Sequence, residues 1–321
     1  MKNSIWNTIV VLFLLSCTTK TEPHVASGEP EKNTSGVSLV VLGTIQDGGS
    51  PHIGCLRDCC KALFANPDPT RQVVSLGLID ADNKRKYLFE ATPDIARQLK
   101  ALKGFGANEN EMPDGIFLTH AHIGHYAGLM YLGKEAGNAT EVPVFTMPKM
   151  REFLKANGPW EQLVSAENIR LVSIENEQAV ILSPNLKVVP LLVPHRDEYS
   201  ETVGYIIHGP TKSALFIPDI DKWEKWDKEI IEEIKKVDYA FLDATFFSGK
   251  ELDNRDMAQI PHPSIAESMA KFDKLSDAER KKVVFIHFNH TNPVIDPTSE
   301  EAKEVIGRGF RLAKFHEVFG L

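Results

Sequence analysis

Apolar residues in this chain fall in short runs bounded by Gly, Pro, Asn and Asp. The runs at 37–42, 73–80, 115–118, 142–146, 186–192, 213–217, 239–242 and 282–286 show little internal alternation of apolar and polar positions. Runs of that kind predict strands covered on both faces. The turn at Asp82-Asn83 pairs 73–80 with 86–90 as a hairpin, and 203–207 pairs with 213–217. Shorter strands are expected at 169–172 and 179–182. Helical stretches are fewer. Thr92-Pro93-Asp94 opens one that runs to about Leu102 with proline at its first position, so Thr92 or Asp94 reads as a cap rather than a catalyst. Others are expected at 126–132, at 149–156 before the stop Asn157-Gly158-Pro159, and at 265–272.

The polar residues at the ends of these runs change the picture. Gly115-Ile116-Phe117-Leu118 leads into Thr119-His120-Ala121-His122-Ile123-Gly124-His125-Tyr126. His120 and His122, two residues apart past a strand, can face one centre. His125 follows where a helix is expected to begin. The strand at 186–192 runs into Pro194-His195-Arg196, that at 213–217 into Pro218-Asp219, that at 239–242 into Asp243-Ala244-Thr245, and that at 282–286 into His287-Phe288-Asn289-His290. His262 stands just ahead of the helix at 265–272. A lone histidine at a strand end is most often an ordinary surface or core residue. Successive strands ending in imidazoles and a carboxylate form a rigid metal site instead, because neutral imidazole is a good transition-metal ligand near neutral pH.

Of the four cysteines, Cys55, Cys59 and Cys60 lie within six residues, in His52-Ile53-Gly54-Cys55-Leu56-Arg57-Asp58-Cys59-Cys60. A disulfide with one thiol left over is the plainer reading. Adjacent cysteines make a strained bridge, and Cys55 to Cys59 closes a very small loop. Three thiolates on one structural zinc fit the spacing better, with His52 or His290 as fourth ligand. The glycine-rich stretch at 43–51 is a wide turn after the first strand. It is no phosphate loop, since no Gly-Lys-Ser/Thr follows and no helix opens there.

The 321 residues are 42% hydrophobic and 25% charged, ordinary globular material with enough chain for one large core or two small ones. The formal charge of -8, with no basic stripe, argues against nucleic acid as an obligate partner. Residues 1–17 read as a signal segment: Lys2, an apolar run at 9–15 too short to span a membrane, then Ser16-Cys17. Leu14-Leu15-Ser16-Cys17 resembles a bacterial lipobox, which implies cleavage before Cys17 and lipidation of its thiol. Residues 18–36, rich in Thr, Glu, Lys, Ser, Pro and Gly, are expected to be a flexible tether. One folded domain is expected over 37–321, on an exported, membrane-anchored lipoprotein.

The histidine stretch resembles the His-x-His-x-Asp-His signature of the metallo-β-lactamase superfamily, with Gly124 where the aspartate usually stands. The resemblance covers the chain from about Val37. Within the superfamily the nearest branch is the pyrroloquinoline quinone biosynthesis protein B-like one, carried by Val41-Leu42-Gly43 with Gly48-Gly49 and the cysteine cluster, Ala91-Thr92-Pro93-Asp94-Ile95, 118–129, Pro194-His195-Arg196, Asp243-Ala244-Thr245-Phe246-Phe247 and 286–293. It implies an α/β (α+β) fold, a four-layer αββα sandwich with metals at one sheet edge. It implies His120, His122, His195 and Asp219 on a first metal, with His125 and His287 toward a second. By likeness to phosphodiesterase branches, His262 matches a histidine that protonates a leaving oxygen, with Asp243 as its orienter. The phosphonate-degrading branch places its structural zinc on three cysteines and a histidine at the position of His290, which favours His290 over His52.

Gly124 removes a carboxylate that would anchor the second metal, so one or two active-site ions are both open. Asp219 points toward hydrolase-like ligation, and an exported lipoprotein is an odd place for a cofactor-biosynthesis step. Three functions therefore compete. The first is a zinc-dependent hydrolase in which metal-activated hydroxide attacks a phosphodiester or ester-type small-molecule substrate. The second is oxygen chemistry at iron, which a His- and carboxylate-rich site also accepts. The third is a surface-tethered binding protein on a degenerate enzyme fold. Arg196, Asp197, Glu198, Tyr199, Trp160 and Trp223 read equally as pocket lining or as ordinary surface and core contacts, and name no substrate.

Overall fold

The computed structural model describes residues 36–252 and 260–321. The leader, Cys17 and nearly all of the expected tether lie outside them. Among the described residues two seven-stranded sheets face each other. Strands are numbered here in chain order. The first sheet contains β1 (Val37–Gly43), β2 (Ser75–Asp80), β3 (Arg85–Phe89), β4 (Gly115–Phe117), β5 (Val142–Thr146) and β6 (Ile169–Ser173), with β14 (Val318–Gly320) on the outer side of β1. The second runs β13-β12-β11-β10-β9-β8-β7, where β7 is Val180–Ser183, β8 Leu186–Leu192, β9 Val203–His208, β10 Ser213–Ile217, β11 Tyr239–Asp243, β12 Val283–Ile286 and β13 Arg311–Leu312. Both sheets are mixed. β3 to β6 and β10 to β13 run parallel, and the hairpins β2–β3 and β9–β10 form as expected.

The apolar runs are explained by burial on both faces. On β1, Leu39 and Val41 point into the core between the sheets, while Val40 and Leu42 pack under the outer helices. On β12, Val284 and Ile286 face the inner core, and Val283 and Phe285 the outer one. Helices Ile95–Gly104, Pro148–Ala156 and Trp160–Ser165 cover the first sheet, and Ile230–Lys235, Ile265–Phe272 and Glu300–Gly307 cover the second. The layers are therefore helix, sheet, sheet, helix.

Two local expectations need correction. The helix expected at 126–132 is a short α-turn, Ile123–Tyr126, followed by a 3-10 segment, Ala127–Leu132. Gly128 lies so close to the loop after β3 that a Cβ there would sit 2.0 Å from the Thr92 carbonyl oxygen. Asp94 occupies the N-cap of its helix but makes no cap hydrogen bond. Its Oδ2 accepts from the Val73 amide at 2.9 Å, and Thr92 Oγ1 accepts from the Asp94 amide at 3.0 Å.

The parallel strands β4, β10, β11 and β12 deliver His120, Asp219, Asp243 and His287 to one rim. The sheets are stitched together there. The loop after β1 pairs with the chain after β12: Phe288 N donates to Thr44 O (2.7 Å), and Gln46 N donates to Phe288 O (2.9 Å). Val203 N donates to Thr119 O at 3.1 Å, and Asp221 N donates to Pro194 O at 2.7 Å, tying the His195 loop to the Asp219 loop.

Candidate metal centre

His120, His122, His195 and Asp219 converge. His120 Nε2 is 2.8 Å from His122 Nδ1, and His195 Nε2 is 3.3 Å from the same atom. Asp219 Oδ2 lies 3.3 Å from His120 Nε2, 3.2 Å from His195 Nε2 and 3.8 Å from His122 Nδ1. Four ligands about 2.0–2.1 Å from a tetrahedral zinc stand about 3.4 Å from one another, so these spacings suit one ion.

A second group shares Asp219. His125 Nε2 and His287 Nε2 each lie 3.1 Å from Asp47 Oδ1, and His125 Nε2 lies 3.9 Å from Asp219 Oδ2. Asp47 was not among the residues singled out in the sequence. It comes from the glycine-rich loop after β1, and the glycine at 124 was the clue that a carboxylate had to be sought elsewhere.

The ring nitrogens facing away from these centres are held by other groups, which is the usual support of metal-binding histidine. His120 Nδ1 meets Thr119 Oγ1 at 2.9 Å, and that hydroxyl donates to Glu90 Oε1 at 2.6 Å. Glu90 Oε1 also lies 3.2 Å from His125 Nδ1, an ion-pair contact without hydrogen-bond alignment. His195 Nδ1 is 3.2 Å from Asp221 Oδ1, and His287 Nδ1 is 2.9 Å from Thr245 Oγ1. Glu90, Thr119, Asp221 and Thr245 were missed as supports, because nothing in their local sequence separates them from ordinary strand-end residues. Glu90 and His287 have backbone φ of 75° and 70°, the left-handed region that side chains rarely adopt. Strain of this kind gathers at functional sites.

Burial and close opposite charges set the electrostatics of the rim. Burial, then the neighbouring charge of His125, holds the His120 imidazole well below its ordinary pKa. Burial pushes His125 down, but Asp47 and Glu90 outweigh it and raise it well above. His287 rises to about 9, because hydrogen bonding to Asp243 and Asp47 outweighs burial. Burial raises the Asp219 carboxyl, yet the facing His262 and His195 hold it well below the carboxylate range. Buried Asp219 Oδ1 accepts no hydrogen bond of good geometry.

His262 lies beside the first group. Its Nδ1 is 2.9 Å from Asp243 Oδ2 and 3.1 Å from Asp219 Oδ1. A capping box just downstream sets its place: Ser264 Oγ accepts from Glu267 N, and Ser264 N donates to Glu267 Oε2. Burial lowers the His262 pKa, but Asp243 and Asp219 raise it well above the ordinary value. Asp243 is itself fixed by Thr245 N (2.9 Å), Thr245 Oγ1 (2.7 Å) and Ile220 N (3.1 Å).

Cys55, Cys59, Cys60 and His290 form a separate group, with Sγ atoms 3.9 Å apart for Cys55–Cys59 and 4.0 Å for Cys59–Cys60. Thiolates 2.3 Å from a tetrahedral zinc stand about 3.8 Å apart. All three are free thiols, so the disulfide reading does not hold. His52 is not the fourth member. Its ring stacks on that of His290 at 4.4 Å, and its amide donates to Cys60 Sγ at 3.3 Å. Burial and the neighbouring thiols push Cys59 up to about 12, whereas burial and the charges of His52 and Arg57 bring His290 down to about 4. Neutral His290 is ready to ligate.

Of the possible pocket residues, Trp223 is core under the second sheet, and Tyr199 is exposed and touches Phe153. Asp197 lies 3.7 Å from Lys149 at the surface, and Trp160 packs on Tyr126. Arg196 reaches the site, with Nη2 3.1 Å from His122 Nε2.

Two mixed sheets between helix layers, with histidines and carboxylates at one rim, define a metallo-β-lactamase-type sandwich. The chain belongs to the β-lactamase superfamily domain family, which matches residues 85–288. Within it the protein is PqqB-like: it is 25% identical over 302 residues to the coenzyme PQQ synthesis protein B of Methylorubrum extorquens (strain PA1), covering 86% of this chain and 97% of that one. The Zn(2+)-bound PqqB structure from Methylobacterium extorquens superposes with a TM-score of 0.73 at 21% identity, over 88% of this chain and all of the other. A diphosphatase of the PhnP family superposes at 0.61 with 22% identity, over 89% of this chain and 97% of that one. At these identities the structural likenesses establish the fold.

Proposed function

We propose that this protein is a metal-dependent hydrolase, with zinc as its metal, acting on a small phosphodiester or ester-type substrate. The observation that carries the reading is one carboxylate, Asp219, facing both the three-imidazole group and the His262–Asp243 pair. Zinc in such a site supplies Lewis acidity and lowers the pKa of a coordinated water to about 7. His120, His122 and His195 hold that ion with Asp219. Asp219 also orients the attacking water through its second oxygen.

In the hydrolytic step water adds to the phosphorus or acyl carbon, and the bond to the leaving oxygen breaks. His262, kept protonated by Asp243 and Asp219, gives its proton to that oxygen. The proton released by the attacking water is taken up by His262, which the step has left deprotonated, and the site returns to its starting state. Arg196 at the open side of His122 favours an anionic substrate, which supports a phosphodiester over a neutral ester. The diphosphatase relative is consistent with that class. Cys55, Cys59, Cys60 and His290 hold a structural zinc. Iron is the competing metal in the first site, because its ligand set does not by itself exclude it.

Export and lipid anchoring through Cys17 belong to the same proposal, supported by the apolar run at 9–15 and the Leu-Leu-Ser-Cys ending. Labelled palmitate incorporated into the wild type and not into Cys17→Ala is the expected result; equal labelling rejects the anchor. The function is tested by turnover of bis(nitrophenyl) phosphate and nitrophenyl esters by the zinc-loaded chain. His262→Ala is expected to retain metal and lose the chemical step on substrates with poor leaving groups. Full turnover of such substrates by that variant rejects the acid role.

A further inference from the structure

The superfamily pattern has a carboxylate at position 124, and here that position is glycine. The space is not free. A Cβ on Gly124 would fall 2.5 Å from Asp47 Cα, 2.6 Å from Asp47 Cβ and 2.9 Å from Asp47 Cγ. Asp47 therefore fills the volume that a side chain at 124 would claim, and the two are mutually exclusive with the loop in this place. The Asp47 carboxylate ends between two buried imidazoles, its Oδ1 3.1 Å from both His125 Nε2 and His287 Nε2.

We propose that Asp47 is a transposed ligand: it replaces the carboxylate missing at 124 and completes a second metal site with His125, His287 and the shared Asp219. The inference rests on the metal-binding part of the proposed function. It turns the choice between one and two active-site ions into two.

Three features support a ligand over a simple ion pair. First, the backbone sets Asp47 one residue beyond a pairing shared with the His287 strand, through Gln46 N to Phe288 O (2.9 Å) and Phe288 N to Thr44 O (2.7 Å). Second, His287 Nδ1 is already engaged by Thr245 (2.9 Å), and His125 Nδ1 faces the Glu90 carboxylate at 3.2 Å, out of line for a hydrogen bond. That leaves both Nε2 atoms aimed at one point. Third, the four donor atoms all lie within 4.8 Å of one another, as the donors of one ion do. An ion pair needs one imidazole; two imidazoles and two carboxylates around one point are a coordination set.

The test uses the full chain, purified in mild detergent, stripped with chelator and titrated with zinc by calorimetry. Zinc content is read by elemental analysis. The wild type is expected to take three zinc ions per chain: one on the cysteines, one on the His120 group and one on the Asp47 group. Asp47→Asn, which keeps the shape and removes the charge, is expected to take two, with the weakest site weakened at least a hundredfold. Asp47→Glu, which keeps the charge on a longer arm, is expected to recover part of that affinity. Cobalt-loaded wild type should show a spin-coupled pair that Asp47→Asn lacks. Three undiminished zinc ions in Asp47→Asn overturn the proposal, as does a wild type that takes only two. His120→Ala serves as a parallel arm: zinc lost there but not in Asp47→Asn sinks the transposed ligand alone, whereas no zinc lost in either sinks the metal centre itself.

Discussion

Replacing His262 with Gln separates the acid from the metal. His262 Nδ1 sits 2.9 Å from Asp243 Oδ2, and Asp243 is held in turn by Thr245 and Ile220, so the ring is fixed; in the proposed mechanism its Nε2 carries the transferable proton. A positioned general acid contributes roughly 10²–10⁴ in rate, or about 3–5 kcal/mol of barrier. Glutamine fills similar space, and His262 is no ligand of either proposed ion, so metal content should stay the same. The loss should depend on the substrate. A phosphodiester with an alkyl alcohol as leaving group needs that proton and should lose the full factor in kcat. A nitrophenyl diester leaves as a stable anion and should lose less than about tenfold. Asp243→Asn should behave in the same direction and also move the high-pH limb of the rate profile downward. Its charge is the largest of the influences that raise the His262 pKa against burial, so without it the ring deprotonates earlier. Steady-state kinetics on the substrate pair, with zinc content on the same samples, reads all of this. Equal losses on both substrates, or zinc lost along with activity, refutes the reasoning.

Further outcomes follow from the same geometry. Zinc added to the metal-free protein at neutral pH should release protons, because His287 at about 9 and the raised His125 must deprotonate to bind; calorimetry in buffers of different ionisation heat measures the number. The sign also fixes the stability of the metal-free form. A raised imidazole stabilises fully below its unfolded value of about 6.5 and ceases to do so above its folded one, so the melting temperature should fall as pH rises from about 6.5 through about 9, the folded value of His287. Cys60→Ser should remove one zinc and destabilise by at least roughly 3 kcal/mol, comparable to removing a native disulfide, seen as a lower melting temperature with His120-bound zinc retained below it. Arg196→Ala should raise KM about fivefold for an anionic substrate, about 1 kcal/mol for an exposed charge contact, with little change in kcat.

Much of this was legible in the sequence because burial on two faces writes itself as unbroken apolar runs. β4, β8, β10 and β12 fall where the runs place them, and His120, His195, Asp219 and His287 follow their ends. His262 stands just ahead of the expected helix at 265–272, which the structure forms as Ile265–Phe272. What the sequence hid is non-local. Asp47 lies 78 residues from His125 and 240 from His287, and only the pairing of Gln46 with Phe288 brings them together. Glu90 and Asp221 look like any strand-end carboxylate until the rings they orient are in place. The 3-10 course at Ala127–Leu132 is set by the packing of Gly128 on the Thr92 carbonyl, a tertiary contact that overrides the helical pattern. His52 matches His290 as a candidate ligand by type; the family resemblance favours His290, and His290 is the one that groups with the cysteines.

The most direct test of the metal-dependent hydrolase is turnover of a phosphodiester across three states of the full chain: as purified, chelator-stripped, and re-loaded with zinc, each beside His120→Ala. Activity that disappears on stripping, returns with zinc, and never appears in His120→Ala is the expected result. Turnover that survives stripping, or a zinc-loaded wild type that hydrolyses neither phosphodiesters nor esters, contradicts it.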